Sequence, residues 1–352
     1  MMTRPLAFAA AAAVLLLPVG CSALEDAMLA HILRNQHKLH TYQGVLVERG
    51  LVPEGELRSD VAFERPDKVL IRATSPAPYQ GTTVLYDGST LTLYWPQVGY
   101  AVKVDHLPTP DTAGERRLVE DSYRHGLALY DVDIRDMGRV ADHPTVSLAY
   151  TEKRRSTTPL LFFNLSAYDK YSVFLSGDMH FAGGASYAFW YDRVAFNEPI
   201  DDATFHLDLP PSTIVTHWDL GGPDVPELQA REGSNFPLEI PAAPPRGLSR
   251  SRIVRVDGPV PAFTLVYRSD PYYLLLTEYK DLGIRLAAAE IGLPLAAGRH
   301  RGKLLIAPLS STYTFRENGM VYQLSGNVAL EDLVAFAASL APRPAAAAAS
   351  IE

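Results

Sequence analysis

One cysteine, Cys21, is all the thiol chemistry this 352-residue chain possesses. No intramolecular disulfide can form, and neither can a C-x-x-C redox pair or a cysteine-rich zinc site. The chain also lacks a block of one charge. Its formal net charge is −8, and the densest basic stretch, EKRRS at Glu152–Ser156, reads as a solvated loop rather than a nucleic-acid footprint. The G-x-S-x-G nucleophile turn, H-E-x-x-H and the P-loop are all missing. What remains is an ordinary globular composition, 47% hydrophobic with 13 Phe, 18 Tyr and 3 Trp. That length and that core material suggest two domains, or one large β domain with an appendage.

The first residues read as an export address. Arg4 supplies positive charge, and Leu6–Leu17 is apolar but short of the ~20 residues that span a bilayer. Pro18 ends that run, and PVGC resembles the bacterial lipobox, in which the thiol is diacylated and becomes the first residue after cleavage. Pro18 departs from that pattern, which usually has Leu there. A plain secretory signal with an incidental cysteine is the alternative. An unpaired thiol in an oxidising compartment is awkward, and a lipid on Cys21 would remove the difficulty. Residues 1–20 are thus expected to be removed and the chain anchored through Cys21. Ser22 carries no acidic retention charge, which favours the periplasmic face of an outer membrane.

Helical spacing of Leu24, Met28, Leu29, Ile32, Leu33 and Leu39 predicts an amphipathic helix over Leu24–Leu39. His31, His37 and His40 decorate it, with no carboxylate spaced to complete a metal site. Short runs rich in β-branched and aromatic residues follow, beginning with YQGVLVERG and LRSDVAFER. Asp87-Gly88, between TTVLY and STLTLYW, is the strongest hairpin signal. It places Leu91, Leu93 and Trp95 on one large apolar face. A helix is expected over Thr112–Tyr130, then a second strand series from YDVDIRDMGRV to ATFHLDLPP. Asp219–Ser249, rich in Pro, Gly and Ala, reads as a linker. Further strands follow, a helix closes over LEDLVAFAASL, and the alanine-rich tail 342–352 reads as disordered. Meandering antiparallel strands with few helices predict an α+β chain built on one strongly curved sheet or barrel.

Candidate chemistry is thin. LSGDMHFAGG (Leu175–Gly184) brings Ser, Asp and His together, but neighbours on one strand rarely form a triad. Asp201-Asp202 reads as an acidic turn before a strand. No cofactor or metal is expected, and a hydrolase is the weakest of the functional readings. More telling are the aromatics on the strands, in LTLYW, LLFF, YSVFL and YAFWY. They form either a packed core or the wall of an apolar pocket suited to acyl chains, and periodicity does not separate the two.

Order and spacing of motifs then bring a family into view. VAFERPDKVLIRATSP, DGSTLTLYWP and YDRVAFNEPIDDATFHLDLPPST resemble the lipoprotein-localisation carriers and receptors (LolA/LolB-like). The matching positions are Arg65-Pro66, Asp87 to Pro96, and Asn197, Pro199, Phe205 and Pro210, within Leu24–Thr216. The resemblance implies an unclosed antiparallel half-barrel with a helical lid over an apolar cavity. It implies a role for Arg65 in linking sheet to lid and governing ligand release. Leu91, Leu93, Trp95, Phe162, Phe174, Phe189 and Trp190 become candidates for lining or lid contact. FTLVYRSDPYYLLLTEYKD and the strands after it resemble the small second domain of periplasmic sigma-E regulators (RseB/MucB-like). The expected division is a carrier-like domain over 21–220, a linker over 221–247 and a small α+β domain over 248–341. The expected function is non-catalytic binding of acyl chains of lipoproteins or lipids. The alternative is an envelope-stress regulator that docks an anti-sigma factor or another membrane signalling protein through its second domain.

Overall fold

The structure is a computed structural model that describes residues 22–53, 55–108, 112–153, 158–241, 243–281, 291–307 and 310–340. The expectations for the leader, for Cys21 and for the tail 342–352 lie outside the described residues. The first helix, α1, spans Ser22–Gln36, shorter at its C-terminal end than the apolar spacing suggests. Leu39 is nonetheless buried, in the turn that leaves the helix.

Strands β1 (Thr41–Arg49), β2 (Glu56–Glu64), β3 (Lys68–Ser75), β4 (Thr83–Asp87), β5 (Thr90–Trp95) and β6 (Tyr100–Asp105) follow as a meander. Helix α2 spans Thr112–Leu129. A second meander consists of β7 (Tyr130–Val140), β8 (His143–Glu152), β9 (Leu160–Tyr168), β10 (Val173–Phe181) and β11 (Ser186–Phe196). With β12 (Ile214–Asp219) these make a 12-stranded sheet in the order β12-β6-β5-β4-β3-β2-β1-β11-β10-β9-β8-β7. The two meanders join where β1 pairs antiparallel with β11. Only β12 runs parallel to its neighbour, β6. The chain reaches that far edge by crossing β2–β4, where Phe205 packs on Ala62, Leu70 and Leu85.

Local chemistry explains the tightest turn. Asp87 Oδ1 accepts from the backbone N–H of Ser89 and Thr90, 2.9 Å each, and from Ser89 Oγ, while Gly88 takes φ 96°. Burial raises the Asp87 carboxyl, but these bonds prevail and hold it below the ordinary value. The paired Asp201-Asp202 is likewise a turn: Asp201 caps a short 3-10 helix through Ala203 N, and Asp202 meets Lys68 at 3.0 Å.

The second sheet is 7-stranded: β13 (Ser249–Val256), β14 (Ala262–Ser269), β15 (Tyr272–Lys280), β16 (Leu293–Ala297), β17 (His300–Ala307), β18 (Ser310–Glu317) and β19 (Met320–Gly326). Neither sheet closes into a barrel, since each retains two edge strands. Residues 221–241 and 243–248, before β13, pack on the second sheet. They hold helix α3 (Glu227–Gly233), bury Ala230, Phe236 and Leu238, and bond Asp224 to Ile253 N at 2.7 Å. Helix α4 (Leu330–Ser339) covers the same face through Leu333, Phe336 and Ala337. There Leu265, Leu274, Leu276, Leu304, Tyr313 and Leu324 have no solvent exposure, which is a closed core. Among the described residues no helix is long and apolar enough to cross a membrane.

Candidate functional site

Register assigns the side chains of the large sheet to its two faces, because directly opposed residues of antiparallel strands share a face. Tyr42 pairs with Phe63, Phe63 with Val69, Val69 with Tyr86, and Tyr86 with Leu91. A second row runs Val61, Ile71, Val84 and Leu93. Across β1 the same face continues through Tyr191 and Phe189, then through Phe163 and Tyr150. This is the face turned to the helices and to the second sheet. Trp95, Tyr100, Val102 and Val104 pack there against Val254, Val266, Tyr273 and Leu275. Tyr123 of α2 lies close enough to Tyr150 to act on its hydroxyl electrostatically, while burial pushes that hydroxyl up to about 12.

A third contact brings Leu57, Ala73, Phe181 and Tyr187 of this face into the closed core of the second sheet, with Phe189 packed against it. Between these contacts the face is apolar and not closed. Tyr42, Phe63, Val69, Ile71, Val84, Tyr86, Phe163, Phe189 and Tyr191 are all only half-buried. Tyr42 stacks on Phe63 at 5.3 Å between ring centroids, and Tyr150 on Phe163 at 4.3 Å, so the wall is firm. The contrast with the fully enclosed face of the second sheet is internal to one molecule. One apolar sheet face is packed shut, and the other keeps accessible surface along several strands.

Two polar fasteners hold the helices at one end of this face. Arg65, in the β2–β3 turn, donates from Nε to Leu39 O at 2.7 Å and from Nη2 to Gln36 O at 3.1 Å. It thereby grips the last carbonyl of α1, which also accepts from Leu39 N at 3.1 Å, and the carbonyl of Leu39 in the turn that follows. Its Nη1 stands 3.8 Å from Glu115 of α2, so one guanidinium touches both helices. Asn197, just past β11, accepts from His40 N at 2.8 Å and donates to Lys38 O at 2.8 Å and to Tyr171 Oη at 3.2 Å. Its φ of 57° is left-handed, a conformation asparagine tolerates better than most residues.

Helix α2 is held from two further sides. Arg124 pairs with Asp26 of α1 at 3.1 Å. Toward the second sheet, Asp121 accepts from Tyr272 Oη, Arg117 reaches Asp270 O at 3.4 Å, and His125 pairs with Glu331 of α4.

The sequence candidates distribute unevenly over this arrangement. Arg65 is at the helix junction, and Phe189 is on the half-open face. Leu91 and Leu93 share that face but lie at the seam with the second sheet, where Trp95 is fully packed. Trp190 and Phe162 point to the opposite face, since each is adjacent to a residue of the inner row. There Arg49 lies over the Trp190 ring at 5.4 Å, and Phe162, 42% exposed, stacks on His180 at 4.1 Å. Phe174 sits at a bulge of β10 and is 43% exposed. The Ser-Asp-His run lies on β10, which pairs with β9 and β11 on its two sides, with His180 3.3 Å from Asp178. Among the described residues no group of three or more His, Cys, Asp or Glu is placed to hold a metal ion. Tyr42, Phe63, Ile71, Val84, Phe163 and Tyr191 were not singled out by sequence. In FF and FWY runs, adjacent aromatics give no parity until the register is known.

No family model matches the chain, and no curated protein matches it. Among solved structures it is similar to the MucA/MucB complex of Pseudomonas aeruginosa, at 15% identity and a TM-score of 0.44, covering 92% of this chain and 99% of that one. It is also similar to the lipoprotein LppX of Mycobacterium tuberculosis, at 13% identity and a TM-score of 0.32, over 50% of this chain and 98% of that one. A LolA superfamily protein from Nitrosomonas europaea aligns at 13% identity and a TM-score of 0.25, over 51% of this chain and 96% of that one.

Proposed function

We propose that the protein binds acyl chains of a lipid or lipoprotein, without chemical turnover, against the half-open face of its large sheet. The observation behind this reading is the contrast between the two sheets. Apolar side chains left accessible on an inward face are costly unless something covers them, and each methylene of a covering chain contributes about 0.8 kcal/mol. Helices α1 and α2 supply a lid, fastened by Arg65. The chain is exported and tethered in the bacterial envelope through a lipid on Cys21, which would hold the site near its ligands.

Native mass spectrometry of the purified protein tests the reading, with co-purifying acyl lipid expected. Ile71→Glu, on the half-open face, should abolish binding of a fluorescent fatty-acyl probe, and Phe162→Glu, on the opposite face, should not. No lipid recovered and no probe bound, or equal effects of the two substitutions, would overturn it. The anchor has a separate test: Cys21→Ser should release the protein from membranes and end fatty-acid labelling.

A second reading, regulation of a membrane signalling protein, is favoured by the bonds from α2 to Asp270, Tyr272 and Glu331. A lid tied to the second sheet can pass the state of the half-open face to a partner docked there. Partner capture that depends on lipid occupancy is the outcome expected of it.

A further inference from the structure

Among the described residues the half-open face has one carboxyl in its largely apolar wall. Glu48 follows Tyr42, Gly44 and Leu46 on that face and stands opposite Phe189 and Leu57. It is 7% exposed, and its Oε1 accepts from Tyr187 Oη at 2.7 Å. Tyr191, next along the face, lies within its electrostatic reach and meets the Tyr42 ring edge-on at 6.5 Å between centroids. Among the described residues no cation balances the carboxyl. Burial pushes it up to about 7, against the lowering influence of the Tyr187 hydroxyl.

Such a group serves folding poorly. An apolar residue of similar size would cost less to bury, and one tyrosine hydroxyl uses little of a carboxyl's accepting capacity. Glu48 stands where the closed core, through Leu57 and Tyr187, meets the half-buried Phe189 and Tyr191, a border that suits recognition instead. We propose that Glu48, framed by Tyr187 and Tyr191, is a polar subsite that accepts a hydrogen bond from a neutral donor on the bound amphiphile, an amide N–H or hydroxyl beside its acyl chain. A neutral donor fits because the carboxyl retains an accepting oxygen whether or not it holds a proton, whereas an ammonium group would need the ionised form alone. This inference rests on the acyl-binding reading and narrows its ligand class.

The test compares two probes with the same chain, N-methylhexadecanamide and methyl hexadecanoate, which differ in the N–H. Both are titrated against a fluorescent fatty-acyl reporter on the full-length protein. The wild type should prefer the amide by about tenfold, the effect of one buried hydrogen bond. Glu48→Leu should bring the two within about twofold. Glu48→Met, unbranched like glutamate, gives the same reading should leucine disturb the packing. Equal affinities in the wild type, or a preference that survives both substitutions, would overturn the subsite and leave acyl binding standing. Failure of both probes to displace the reporter would overturn the subsite and the acyl-binding reading together.

Discussion

Arg65 reaches Leu39 across 26 positions of sequence, its Nε 2.7 Å from the Leu39 carbonyl oxygen. With Gln36 O as a second acceptor, it binds the end of α1 to the β2–β3 turn. Its ion pair with Glu115 is longer, 3.8 Å, and both side chains are about a third exposed, so solvent screens it. The carbonyl bonds are therefore the stronger part of the fastener. Arg65→Ala should cost about 1–3 kcal/mol and speed amide exchange through residues 30–40. Glu115→Gln should change stability by less than about 0.5 kcal/mol. Exchange in α1 that is unaltered in Arg65→Ala would show that the helix is held by other contacts.

Asn197 separates two contributions that usually travel together. Its side chain bonds backbone on both sides of the turn before β1, and its own backbone is left-handed. Asn197→Gly retains the conformational freedom and loses the bonds, whereas Asn197→Ala loses both. The alanine variant should be the less stable of the two by about 1 kcal/mol in urea unfolding. The reverse order would mean that the left-handed backbone carries no strain.

How much of this could be read from the sequence depends on which physical rule each feature obeys. The Asp87-Gly88 turn and the strands beside it were legible because turn chemistry and alternation are local. Arg65 and Asn197 were legible only through motif resemblance, since their partners lie 26 and 159 positions away along the chain. The segment 221–247 read as a linker because it is rich in Pro, Gly and Ala and its buried residues, Ala230, Phe236 and Leu238 among them, have no period. Their burial is imposed by the second sheet. Choosing between Phe162 and Phe163, or between Phe189 and Trp190, required knowing which residues oppose them on β10 and β1. Parity over a long sheet, with shifts such as that between Val45 and Leu46, is a property of pairing and not of one strand.

The bonds from α2 to the second sheet make a prediction about motion. Asp121 accepts from Tyr272 Oη, and burial followed by that bond pushes the phenol up to about 12. Tyr272→Phe removes the bond and keeps the ring, and Glu331→Gln removes the charge facing His125. Each pair is partly exposed, so global stability should fall by no more than about 1 kcal/mol. Amide exchange across residues 113–128 should nonetheless accelerate in the double variant, more than the sum of the single ones. Exchange confined to its wild-type rate would show that α2 is seated on the large sheet alone.

Glu48 gives the pH dependence its sign. Its carboxyl stands at about 7 in the folded protein against an ordinary 4.5, with burial the leading cause. The folded state therefore holds this proton more tightly than the unfolded state does. Its contribution to stability is fully present below about pH 4.5 and is lost as the pH rises through about 7. At about 1.4 kcal/mol per pH unit, the loss amounts to about 3 kcal/mol. Other carboxylates, Asp87 among them, are held below their ordinary values and slope the opposite way, so the measurement is a difference. Urea unfolding of the wild type and of Glu48→Gln at several pH values isolates it. The variant should become relatively more stable as the pH rises from 4.5 to 7. A constant difference between the two proteins over that range would mean that Glu48 is ionised in the fold and that its carboxylate has found a donor beyond Tyr187.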